Sequence, residues 1–272
     1  MTAPAPAREA PALPSLPSVY RSRSSVELKE FFRQRESVVF TLMLPVLLLV
    51  VFGAVLDFDL GSGVSFTQYF MAGIIAAGIL GASLQNMAIS IATERSDGTL
   101  KALAGTPMPK SAYFVGKVVQ VLAVTVLIIG VLLLIGVVVY DIDLPSGGEW
   151  FTFAWVSLLG AAACTLLGIA VSSLAKNGRS ASATVTPFAL VLQFISGVFF
   201  LFSSLPEWMQ TVAAVFPLKW MGQGLRSVFL PDALAASEPA GSWELGRVAL
   251  VLAVWCVVGL LLCVKTFRWQ DR

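Results

Sequence analysis

Side chains able to do chemistry are sparse in this 272-residue chain, and their densest group lies in residues 93–110, TERSDGTLKALAGTPMPK. There Glu94, Arg95, Asp97 and Lys101 stand around Leu100, with Leu103 just beyond. Ser96 and Asp97 can cap a short helix that Gly105, Pro107 and Pro109 bring to an end. Two or three turns are not stable alone in water, so lipid headgroups, a protein partner or a tight structured turn must hold them. Catalysis has little to work with. The chain has no histidine, which excludes a Ser-His-Asp triad, a His-ligated metal and an HExxH helix. Cys164, Cys256 and Cys263 lie in apolar runs without a CxxC, the setting of small buried apolar residues. No phosphate-binding loop of the form GxxxxGK-Ser/Thr occurs, because Gly116-Lys117 is followed by Val118. No catalytic, cofactor-binding or metal-binding residue is predicted, and a net charge of +2 carries no signature of nucleic acid.

The elements that must position these groups are apolar. Hydrophobic residues make up 57% of the chain and charged ones 12%, with a mean hydropathy of +0.84. Soluble domains run at roughly 45–50% and 25%, and a single core of this size could not bury the excess. A soluble globular enzyme is excluded on that ground. Six apolar runs predict transmembrane helices at 37–57, 66–92, 111–140, 150–175, 180–203 and 245–266. Each reaches the roughly 17 residues needed to cross ~30 Å of hydrocarbon as a helix. The spans lack convergent acids and bases, which argues against a membrane-embedded enzyme.

Basic residues set the orientation. With the N-terminus in the cytoplasm, all eighteen lysines and arginines except Lys219, Arg226 and Arg247 fall on the inner side, while Asp57, Asp59, Asp141, Asp143 and Glu149 fall outside. Both termini are therefore expected to be cytoplasmic. Residues 1–18, rich in proline and alanine, read as a disordered tail, and 267–272 as a short cytoplasmic tail. Residues 19–36 place Val26, Leu28, Phe31 and Phe32 among Arg21, Arg23, Lys29, Arg33 and Arg35, the pattern of an amphipathic helix at the inner interface. Residues 204–231 hold an apolar run too short to cross; Pro206 and Pro217 predict two short re-entrant half-helices at the outer end, with Trp208 and Trp220 at headgroup depth.

These segments, in this order, resemble the permease subunit of ABC-2 type transporters, and among them exporters of the daunorubicin and multidrug-resistance type. Three blocks carry the resemblance: ELKEFFRQRESVVFTLMLPVLLLVVFG (27–53), ATERSDGTLKALAGTPMPKSAYFVGK (92–117) and FLFSSLPEWMQTVAAVFPLKWMGQGLRSVF (200–229). The middle block is the most specific, since Glu94, Arg95, Gly98, Thr99, Leu100, Thr106 and Pro107 match the family's cytoplasmic coupling segment.

The resemblance implies an all-α membrane protein with a connecting helix (Phe31, Phe32, Arg33, Arg35), a coupling helix between the second and third spans, and outer re-entrant half-helices. It implies two copies of a cytoplasmic ATPase partner that supplies the ATP and Mg, and a second permease copy, identical or homologous. Glu94, Arg95, Asp97, Gly98, Thr99, Leu100, Lys101 and Leu103 are expected to contact that ATPase, with Leu100 and Leu103 buried against it and the charged residues at the rim. The second and fifth spans would line the path of a hydrophobic or amphiphilic substrate, through Gln85, Asn86, Gln193, Ser196, Phe199 and Phe200. A lipid or lipid-linked glycan is the alternative cargo, and an ATP-independent channel or scaffold the alternative class. The expected site is the cell membrane, in bacteria the inner membrane.

Overall fold

A computed structural model describes residues 15–56, 58–61 and 63–267. The tail expected to be disordered, up to residue 14, and residues 268–272 lie outside the described residues, as does Asp57. The chain folds as helices, and no named strand forms among the described residues: α1 (Leu16–Arg33), α2 (Arg35–Val55), α3 (Phe66–Leu80), a π turn (Gly81–Gln85), α4 (Asn86–Ser96), α5 (Thr99–Ala104), α6 (Lys110–Tyr140), α7 (Glu149–Ser172), α8 (Gly178–Ile195), α9 (Glu207–Val215), α10 (Pro217–Phe229) and α11 (Leu245–Thr266). Pro17 sits in the first turn of α1, where its missing N–H costs nothing, so residues 16–18 belong to this helix and not to the tail. The break between α1 and the first span falls at Gln34, ahead of the expected position.

Among the described residues five helices are long and apolar enough to cross a bilayer: Val38–Val55, Phe66–Ser96, Lys110–Tyr140, Glu149–Ser172 and Leu245–Thr266. Side chains such as Val126, Val138, Leu250 and Val264 stand exposed on them, a surface that only hydrocarbon covers cheaply. The molecule is a multi-pass membrane protein. The span expected at 180–203 differs from the other five. Its helix α8 stops at Ile195 after 18 residues, opens with the polar stretch around Arg179, Ser180 and Thr184, and contains Pro187. Beyond it the chain turns at Gly197.

α3, the π turn and α4 form one central rod, about 46 Å long at 1.5 Å per residue, and 72% of its most apolar window is buried against 17–56% for the other candidate spans. The neighbours pack in a regular order. Tyr113 meets Glu94, Ile128 meets Gly78 and Gly136 meets Met71, so α6 runs antiparallel to the rod. The stretch 178–202 is antiparallel to it as well, since Gly178 lies against Thr93, Val198 against Gly73, and the Phe202 amide donates to the Tyr69 hydroxyl. α7 runs parallel, with Gly168 on Leu84 and Ser172 near Arg95. Two ends follow. Lys101, Lys110, Lys176, Arg179 and Lys265 gather at the basic end; Asp59, Asp141, Glu149 and Glu207 gather at the acidic end.

Candidate functional site

At the basic end the sequence builds a buried ion cluster. α1 lies along the first turns of α6, and the stripe it presents there is Tyr20, Arg23, Glu27 and Phe31, spaced by three or four residues. Gly116 permits the approach: a Cβ there would lie 3.0 Å from the Glu27 Cγ and 3.1 Å from the Arg23 Cγ. Lys117, 1% exposed, reaches across three helices. Its Nζ lies 2.8 Å from the Glu27 Oε2, donates to the Ser90 Oγ at 2.8 Å and pairs with the Glu94 Oε1. The Tyr113 hydroxyl donates to the other Glu94 oxygen at 2.8 Å, and Arg23 pairs with Glu27 and lies 5.3 Å over the Tyr113 ring. Two cations face two carboxylates, so the cluster is neutral, as burial demands. Burial raises the pKa of Glu27 above the ordinary glutamate value, with the Lys117 charge working against it.

Not all eight residues expected to contact the ATPase lie at the surface. Glu94 and Leu100 are turned inward. Glu94 belongs to the cluster, and Leu100 packs with Met87, Ile91, Tyr113 and Ile169 because α5, held between α4 and α6, has an apolar side of its own to bury. Gly98 makes the tight turn between α4 and α5 at φ +84°, where other residues are strained, and the Asp97 carboxylate accepts from the Thr99 amide at 2.9 Å. Arg95 donates to the Ser172 carbonyl at 2.9 Å and ties α4 to the end of α7. Of the eight expected contact residues, Asp97 and Lys101 are exposed, and Arg95, Gly98, Thr99 and Leu103 are half-buried. In the connecting helix Phe31 is buried while Phe32, Arg33 and Arg35 are exposed, and Glu27 is buried beside Phe31.

The expected substrate path divides. Gln85, Asn86 and Gln193 line one groove of about 480 Å³ between α2, the rod and α8. Ser196, Phe199 and Phe200 do not line it. Ser196 is buried beside the Gly197 turn, Phe199 stacks into an aromatic cluster with Phe52, Phe70 and Phe194, and Phe200 is exposed. The π turn lies where the groove passes the rod, and such turns offset the side chains that follow them. Asn86 Nδ2 is buried without a hydrogen-bond partner among the described residues. A second groove, about 640 Å³ between α6, α7 and α11, is walled by Phe114, Leu158, Leu166, Leu260 and similar side chains. It offers a solute almost no polar anchor.

A second buried cluster closes the acidic end. Pro206 precedes α9, and Pro217 opens α10 as expected, with Phe216 at the break. Arg226 is fully buried, donates from Nε to Glu238 at 2.7 Å and lies 5.0 Å over the Tyr69 ring. Lys219 donates to Gln223, whose Nε2 donates to the Trp243 carbonyl at 2.9 Å. Trp208 is exposed, but Trp220 is buried, its Nε1 donating to the Ala214 carbonyl at 2.8 Å. Sequence reasoning missed both clusters. Lys219 and Arg226 were marked only by standing apart from the other cations, and Lys117 by opening a long apolar run.

Comparison with known proteins agrees with this architecture. Residues 57–265 match the family model described as ABC-2 family transporter protein. The chain is 24% identical over 207 residues to the putative transport permease YvfS of Bacillus subtilis (strain 168), covering 76% of this chain and 84% of that protein. It is 25% identical over 216 residues to the inner membrane transport permease YadH of Escherichia coli (strain K12), covering 76% and 82%. It is 27% identical over 145 residues to the probable multidrug ABC transporter permease YbhR of the same organism, covering 53% and 39%.

Proposed function

Since the chain belongs to the ABC-2 transporter family, we propose that it is the permease subunit of an exporter for hydrophobic or amphiphilic compounds of the drug and antibiotic class, driven by a separate cytoplasmic ATPase. Two permease copies and two ATPase copies make the complex, and ATP and Mg bind only in the ATPase. The basic end faces the cytoplasm together with both termini, and the stretch 178–202 makes the sixth crossing. One observation carries the reading: the neutral cluster of Arg23, Glu27, Lys117 and Glu94 joins α1, α6 and the rod at the end of the rod from which α5 continues. A push on α5 therefore reaches the groove through packed helices, as a mechanical link between two states requires. Asp97, Lys101 and Ala102 are the exposed groups that meet the ATPase.

The test is co-purification of the ATPase with the tagged full chain in mild detergent. Lys101→Glu with Ala102→Arg is expected to release the ATPase and abolish transport while leaving the thermal midpoint of the permease unchanged. Leu100→Asp would not serve, because Leu100 is 1% exposed and the change would unfold the segment. Transport by the purified chain in vesicles without ATPase or ATP would overturn the proposal.

A further inference from the structure

Taking the groove between α2, the rod and α8 as the substrate path of the exporter proposed above, we infer that its substrates are lipophilic monovalent cations, oriented by Glu36 at the edge of the groove. Among the groove's lining residues Glu36 is the sole ionisable one; it is exposed and stands in the first turn of α2. No lysine or arginine lines the groove, although Arg35 precedes Glu36 in sequence and Arg179 lies one turn before the lining residue Ser182. The remaining polar wall is uncharged, and its amides and hydroxyls both donate and accept, Asn86 Nδ2 being an unpaired donor among the described residues. Gln85, Asn86 and Gln193 supply amide oxygens, and Thr41 and Thr186 supply hydroxyls. Pro45 adds an acceptor: it lies inside α2, has no N–H, and so leaves the Thr41 carbonyl without its helical donor. Phe40, Leu44, Leu48, Ile74 and Ile89 provide the apolar walls. A cleft with low-dielectric walls and charge of one sign focuses its field inward. A delocalised cation gains from that field, a neutral amphiphile gains only apolar contact, and an anion of the same shape is repelled.

Two xanthene dyes of similar size and opposite charge give the test: rhodamine 6G, a permanent cation, and fluorescein ethyl ester, an anion at pH 8. Fluorescence anisotropy reports their binding to the full chain in nonionic detergent, with empty micelles as the baseline. The wild type is expected to bind rhodamine 6G about tenfold or more tightly than the anionic dye, a ratio equal to about 1.4 kcal/mol. Glu36→Gln should remove most of that preference and Glu36→Lys should reverse it, while Thr186→Trp, which blocks the groove from its exposed side, should abolish binding of rhodamine 6G. If the wild type binds both dyes equally or neither, or if Glu36→Gln keeps the preference, the charge inference fails. If Thr186→Trp leaves rhodamine 6G binding intact, the groove is not the substrate path and the earlier reading of that path fails.

Discussion

Lys117 is the residue whose removal should be felt most. Its ammonium answers two carboxylates at once, Glu27 and Glu94, and each is nearly inaccessible to water. Lys117→Met leaves those carboxylates facing each other with Arg23 as the nearest cation, and breaking a buried pair in this way costs about 3–5 kcal/mol. The expected result is a clear fall in the thermal unfolding midpoint of the detergent-solubilised chain. Removing one of the stranded charges should recover part of the loss: Lys117→Met with Glu94→Gln is expected to be more stable than Lys117→Met alone. A double-mutant cycle measures this, with a coupling of about 0.5–3 kcal/mol between contacting residues. Additive losses would mean that the three side chains do not act as one group. The residue scale also shows where sequence reading stops. Glu94 and Leu100 stood out by their place in a motif, but which way they face depends on where α5 is carried by α4 and α6, and no local pattern encodes that.

The π turn makes a sharper prediction at the scale of an element. A π turn holds one residue more than the α-helix it interrupts. Deleting Ala82 should therefore restore a regular helix with both ends still in register, keeping the Glu94–Lys117 pair and the packing of Tyr69. Deleting Ala76, inside α3, has no slack to absorb it and rotates all that follows by about 100°. The first variant is expected to fold and retain its ATPase but lose dye binding and transport, because Gly81 and Gln85, the groove-lining residues of the turn itself, are displaced. The second is expected to fail to accumulate. Thermal unfolding and dye anisotropy separate the two outcomes, and retained dye binding in the Ala82 deletion would show that the turn does not shape the groove. The elements were for the most part legible in the sequence. Apolar length marked five spans, proline marked the α9–α10 break, and glycine and proline bounded α5. What was not legible arose from contacts between elements. α1 buries Arg23 and Glu27 because Lys117 waits on α6, and α8 ends early because the chain turns at Gly197 and goes on in non-helical form to place Phe202 against Tyr69.

At the scale of the whole molecule the rod is a shaft fixed at both ends, by Glu94 in the neutral cluster at one and by Tyr69 beside Arg226 and Glu238 at the other. The groove lies along the middle of this shaft, so movement at α5 is passed on only if the two clusters sit on opposite faces of the membrane. That depends on whether 178–202 crosses. The helix α8 is about 27 Å long by its 18 residues, short of the full hydrocarbon thickness, but the chain as far as Phe202 follows the rod from Thr93 to Tyr69. The crossing can be tested with single cysteines in a background where Cys164, Cys256 and Cys263 are replaced by alanine. Arg179→Cys and Glu207→Cys bracket the stretch at exposed positions, and Ser96→Cys and Asp143→Cys mark the basic and acidic ends. In intact cells a membrane-impermeant maleimide is expected to label the variants at 143 and 207, and to label those at 96 and 179 only after permeabilisation. Labelling of 179 and 207 from the same side would leave five crossings and put the termini on opposite faces. The basic end could not then face the cytoplasm with both termini, and a push on α5 would have no fixed far end against which to open the groove.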